Sequence, residues 1–95
     1  MIEVTFLCEL QLEELAGGRQ FVVQLPENTA VFQAIETLCD QSRPELRPGL
    51  ISDAGRLSGG ILVFVNQRPV SSEALRTQVL KNRDSVMLYP AISGG

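Results

Sequence analysis

Ser85-Val86-Met87-Leu88-Tyr89-Pro90-Ala91-Ile92-Ser93-Gly94-Gly95 is the stretch on which the reading of this chain turns. Val86 and Leu88 share one face of a strand, and Met87 and Tyr89 share the other. Pro90 cannot donate to a ladder, so the strand stops there. Five residues follow, ending in two glycines. Extended at roughly 3.4 Å per residue, Ala91 to Gly95 reach about 17 Å beyond the strand. Glycine has no Cβ, so Gly94 and Gly95 suit a narrow channel in which a partner must reach the terminal carboxylate. The competing reading is a frayed end, since termini are commonly disordered and rich in small residues. The strand, the proline and the apolar step before the glycines favour a thin arm on a folded handle. The expected division is a folded domain over residues 1–90 and a flexible Gly-Gly tail over 91–95.

The nearest upstream strand signal is Ile61-Leu62-Val63-Phe64-Val65. This continuous apolar run predicts a central strand covered on both sides. Asn66-Gln67-Arg68-Pro69 forms a turn, with a short return strand from Val70. Ser71 to Leu80 is polar, anchored by Leu75, Val79 and Leu80, and Lys81-Asn82-Arg83-Asp84 turns the chain into the final strand.

At the other end, Ile2, Val4 and Phe6 alternate with Glu3, Thr5 and Leu7, the period of a half-buried strand. Leu7 falls on the polar face and is expected to be an exposed apolar residue. Glu9 to Ala16 reads either as a short helical turn or as a polar connection. Gly17-Gly18 makes a turn, and Arg19 to Leu25 is a second strand, hairpin-paired with the first. Pro26 ends it. Asn28 or Thr29 is positioned to cap a helix over Ala30–Gln41, with a stripe of Val31, Ala34, Ile35 and Leu38 and Cys39 beside it. Phe32 lies off that stripe, against a neighbouring loop. Arg43 to Gly60, rich in proline and glycine, reads as a loop with one turn near Leu50-Ile51, either mobile or locally packed.

The order strand, strand, helix, strand, short strand, strand predicts an α+β fold. A mixed four- to five-stranded sheet carries one main helix across one face. The expected core is Val4, Phe6, Val23, Ile35, Leu38, Val63, Val65, Val86 and Leu88. At 95 residues, one domain builds this core without disulfides or metals.

A formal net charge of −3 argues against nucleic acid. Cys8 and Cys39 lack metal-ligand spacing and the chain has no histidine, which disfavours zinc sites and Cys–His catalysis. Both are expected to be buried thiols. No signal peptide or membrane-spanning run is visible, so the expectation is a cytoplasmic, reduced protein with no membrane partner.

The element order and the ending resemble the MoaD/ThiS-type ubiquitin-like sulfur carriers, most nearly the small subunit of molybdopterin synthase. Ile61 to Gln67 and Met87 to Gly95 carry the likeness, with Ile2 to Leu7 and Glu14-Leu15-Ala16-Gly17 adding to it. Three departures stand out. The stretch before Leu15 is a few residues longer than in the synthase subunit. The loop over 43–60 is also long, and its Arg43-Pro44-Glu45-Leu46 looks like the ubiquitin-related modifier of tRNA thiolation. The family's usual Asp-Gly-Asp turn is Asn82-Arg83-Asp84.

The resemblance implies a ubiquitin-like β-grasp fold and a carrier rather than an enzyme. A C-terminal carboxylate, ionised at pH 7, is a poor electrophile. An E1-like enzyme using ATP would adenylate Gly95, and a sulfur donor protein would convert it to a thiocarboxylate. Gly94 gives clearance, and the carrier binds no cofactor of its own. A larger acceptor subunit, such as that of molybdopterin synthase, would then receive the sulfur, with a pterin, a tRNA or a cysteine precursor all open as the final acceptor. Matching the family pattern puts the docking patch at Leu7, Pro69 and Tyr89, with Arg68 a weaker candidate. Strand alternation independently turns Leu7 and Tyr89 outward. Two rivals share the scaffold: a modifier that joins Gly95 to lysines, and a plain interaction module with no tail chemistry.

Overall fold

The computed structural model describes residues 1–91. Five strands form one mixed sheet in the order β2-β1-β5-β3-β4. They are β1 (Ile2–Cys8), β2 (Gln20–Leu25), β3 (Ile61–Val65), β4 (Arg68–Pro69) and β5 (Ser85–Pro90). β5 lies at the centre, parallel to β1 and antiparallel to β3. The main helix, α2 (Val31–Gln41), crosses one face. This is the β-grasp arrangement.

All nine residues expected in the core are buried. Phe6, Leu12, Leu25, Ile35, Leu38 and Leu88 are among its largest fully enclosed side chains. Cys8 and Cys39 are free and buried within it.

Glu9 to Ala16 resolves into the helix α1 (Gln11–Ala16), flanked by the β1–β2 hairpin. Gly17 closes it in the left-handed region at φ 80°, where its N–H donates to the carbonyls of Glu13 and Glu14.

The stretch over 43–60 is locally packed. It holds the helix α3 (Leu46–Leu50) and an antiparallel bridge between Ile51 and Leu57. Pro48 is tolerated because it falls in the first turn, where an N–H has no intrahelical partner. A Cβ on Gly49 would lie 2.6 Å from Leu15 Cδ1, so glycine there lets α1 and α3 approach. Leu46 and Leu50 are fully buried under that contact. Proline and glycine had hidden the helix from a propensity reading.

Two expectations need correction. Neither Asn28 nor Thr29 caps α2: the N-cap is Ala30, with no side-chain cap. Thr29 Oγ1 donates instead to the Pro26 carbonyl at 2.6 Å. The first amides of α2 are satisfied from a distance, Val31 by the Gln78 carbonyl and Phe32 by the Leu75 carbonyl. Gln33 Oε1 also accepts from the Ala30 N–H at 3.1 Å. Phe32 is buried in this contact, and the Arg76 guanidinium sits 4.2 Å from its ring centroid.

The second correction concerns β3, which is covered on one face only. Val63 and Val65 are buried, whereas Leu62 is 46% exposed and Phe64 half-buried. One crossing helix can cover only one side of the sheet.

Candidate functional site

The uncovered side of the sheet carries a continuous apolar surface, and the pairing register assembles it. Leu7 lies opposite Met87, Met87 opposite Phe64, and Phe64 opposite Pro69, so four apolar residues run side by side across four strands. Two residues further along, about 7 Å away, Leu62 pairs with Tyr89. Leu7, Phe64, Met87 and Tyr89 are half-buried, while Pro69 is exposed. A shallow depression of about 380 Å³ is lined by Leu7, Phe64, Asn66, Gln67, Ser85 and Met87. None of these is charged, so its floor is apolar and its rim consists of neutral amides and a hydroxyl.

That rim is held in place. Asn66 and Gln67 take positive φ of 50° and 71°, the geometry of a two-residue hairpin turn whose twist matches the strands. Asn66 Oδ1 accepts from the Ser85 N–H at 2.9 Å, and its Nδ2 donates to Asp84 at 2.8 Å. The Asn66 N–H donates in turn to the Ser85 carbonyl at 2.8 Å.

At the other end of the depression, β5 is gripped until it leaves the sheet. Pro90 lies opposite Ile61, the Glu9 N–H donates to the Leu88 carbonyl, and the Ala91 N–H donates to the Gly60 carbonyl. Tyr89 and Leu62 flank this exit, so the apolar face is continuous with the start of the arm.

The structure therefore brings Leu7 and Tyr89 onto one open face as alternation required. Pro69 closes the far end of the cross-strand row, three strand spacings or about 14 Å from Leu7. Between them stand Phe64 and Met87, and beside Tyr89 stands Leu62, none of which the sequence analysis assigned to docking. Met87 was legible, since it shares a face with Tyr89. Phe64 and Leu62 were concealed because their run is apolar on both faces. Arg68 is exposed on β4, opposite Val65. Gly94 and Gly95 lie outside the described residues.

Among the described residues, no group of three histidine, cysteine or acidic side chains could hold a metal. The two thiols are unsuited to nucleophilic work. Burial, with smaller contributions from Cys39 and Glu9, pushes Cys8 up to about 11. Burial pushes Cys39 equally far, against a small lowering by Arg47. A thiol so shifted remains protonated at neutral pH. No helix of the described residues is long and apolar enough to cross a membrane.

The profile of the ThiS family matches residues 10–95 of this chain. Among solved structures, SAMP1 from Haloferax volcanii shares 26% identity at a TM-score of 0.87, covering 98% of this chain and 99% of that one. The small archaeal modifier protein 1 of Methanosarcina acetivorans shares 25% at a TM-score of 0.82, over 100% and 98%. A putative molybdopterin converting factor subunit 1 from Pyrococcus furiosus shares the fold, with 22% identity and a TM-score of 0.74 over 97% and 100%. No curated protein matches the sequence.

Proposed function

The chain belongs to the ThiS family of ubiquitin-like sulfur carriers, and from that premise we propose that Gly95 is the residue that carries the sulfur. The observation that supports this most is the uncharged apolar face running without a break to the strand end from which the arm departs. A carrier must present its terminus to at least two partners in turn, and a rigid apolar platform beside the arm aims the terminus while the partner's active site supplies the chemistry.

In the proposed cycle an adenylating enzyme binds the open face, and the Gly95 carboxylate attacks the α-phosphate of ATP. Pyrophosphate leaves, and the acyl-adenylate becomes the electrophile that the carboxylate was not. A persulfide on a donor protein displaces AMP to give an acyl disulfide. A thiol then attacks the donor-side sulfur, breaking the S–S bond to release the thiocarboxylate and leaving the donor as a disulfide. The carrier acts as a co-substrate, lending Gly95 as the attachment point and Gly94 as the slender segment before it. Leu7, Phe64, Pro69, Met87 and Tyr89 provide the docking contact. The proposed acceptor is a pterin precursor on a larger synthase subunit, in keeping with the likeness of Ile61–Gln67 and Met87–Gly95 to the small subunit of molybdopterin synthase.

Conjugation of Gly95 to protein lysines is the second reading. It is favoured by the likeness, at 25–26% identity over nearly the whole chain, to two archaeal proteins named as modifiers. Both readings share the adenylate and diverge afterwards.

Incubation with a cognate adenylating enzyme, ATP and a sulfur donor is expected to exchange one oxygen of Gly95 for sulfur, read by intact-mass measurement. Deleting Gly95 shifts the reacting carbonyl by roughly 3.4 Å, and a misplacement of about 1 Å can cost on the order of a hundredfold in rate. Sulfur transfer at the wild-type rate by the truncated protein would sink the proposal. Isopeptide-linked Gly95 in cell extracts, without thiocarboxylate, would select the modifier reading.

A further inference from the structure

The two edges of the sheet are guarded very differently. β4 is two residues long and contains Pro69, which interrupts pairing. β2 is a six-residue edge strand, Gln20-Phe21-Val22-Val23-Gln24-Leu25, with no proline and no charged residue. The bond from the Cys8 N–H to the Arg19 carbonyl sets the phase of the β1–β2 ladder. Residues 19, 21, 23 and 25 therefore direct their main-chain groups at β1, while Gln20, Val22 and Gln24 direct theirs outward. Val22 is also 55% exposed on the open side of the sheet.

We infer that β2 pairs antiparallel with β2 of a second copy about a twofold axis at Val22. In that register Val22 faces its own counterpart, and Gln20 of each chain faces Gln24 of the other. Phe21 faces Val23, so both faces remain in phase across the junction. Each of the three outward residues both donates and accepts, which gives six main-chain hydrogen bonds, and the two sheets become one of ten strands.

Charge selects this arrangement over its alternatives. The strand is preceded by Arg19 and followed, beyond Pro26, by Glu27, both exposed. Arg19 is already paired with Glu9 at 2.6 Å, so antiparallel pairing sets a neutralised end of one copy beside the Glu27 end of the other, whereas parallel pairing sets the two Glu27 carboxylates together. The closed register and the avoided contact between Glu27 carboxylates therefore favour antiparallel pairing of two copies. The contact is small, of the class that associates transiently. It also leaves Phe64, Pro69 and Tyr89 uncovered, so it is independent of the docking proposed above.

Sedimentation equilibrium of the full chain up to about 1 mM tests this, with Val22→Lys and Val22→Glu as the probes at an exposed site. Wild-type protein is expected to dimerise. Each variant alone is expected to dimerise at least tenfold more weakly, because like charges meet at the axis, and an equal mixture of the two should regain association. A monomeric wild type, variants that dimerise as well as wild type, or a mixture that does not regain association would each overturn the proposal.

Discussion

The two faces of β5 both carry large side chains with extensive apolar surface and do opposite things. Val86 and Leu88 are fully buried beneath α2 and its neighbours, whereas Met87 and Tyr89 stay half-open on the other side. What separates them is coverage by the rest of the chain. A sheet with one crossing helix has one dry face, and here apolar residues are retained side by side on the other. Under the proposed function, stability rests on one face of a strand and recognition on the other, one residue apart.

The largest effect expected from that division lies on the closed face. Leu88→Ala should cost about 2–5 kcal/mol in denaturant melts, through lost transfer energy and the cavity left behind. Met87→Ala, one position away, should cost less than half as much. Equal losses would erase the distinction between the faces.

Next comes the open face read by binding. Tyr89→Asp and Phe64→Asp should leave the fold intact yet weaken binding to the adenylating enzyme at least tenfold, about 1.4 kcal/mol, because a charge is desolvated without a partner. Titration calorimetry would measure it, and unchanged affinity in both variants would reduce the patch to ordinary surface.

The closed face has a pH signature as well. The buried Cys8 and Cys39 have folded pKa values of about 11 against an ordinary value of 9.0. Folding thus favours the protonated thiol, and the stability it contributes is fully present below pH 9 and lost as pH rises through 11. Replacing both with alanine or serine should flatten this fall in melts between pH 9 and 11. An unchanged slope would show that the thiols ionise freely in the native state.

The smallest effect sits in the turn that leads into β5. Arg83 takes a positive φ of 71°, where the resembled family has glycine. The turn keeps its shape at the expense of a side chain in the left-handed region. Arg83→Gly should therefore stabilise the protein by about 0.5–1 kcal/mol, without affecting partner binding. A loss of stability would mean that the Arg83 side chain makes a compensating contact.

Much of this was legible along the chain. Alternation in Ile2–Phe6 and in Val86–Leu88 named the core side of two strands, because side chains in a strand point to opposite faces by covalent geometry. The stripe of Val31, Ala34, Ile35 and Leu38 named the buried side of α2 for the corresponding helical reason. Pro90 marked the end of β5, and Leu7 and Tyr89 could be turned outward before any contact was known. These are local consequences of backbone period, and residue order alone fixes them.

The rest depended on what lies across space. The strand Ile61–Val65 is apolar on both faces, so no period within it distinguishes Leu62 and Phe64 from Val63 and Val65; only the presence of α2 on one side did. The start of α2 carries no side-chain cap because the carbonyls of Leu75 and Gln78, more than forty residues later in sequence, satisfy its first amides. The helix at Leu46–Leu50 forms despite Pro48 and Gly49 because it packs against Leu15. The apolar row from Leu7 to Pro69 exists only once register sets four strands side by side. Sequence determines which residues share a face; tertiary packing decides which faces are covered, since coverage depends on chain segments that local periodicity does not describe.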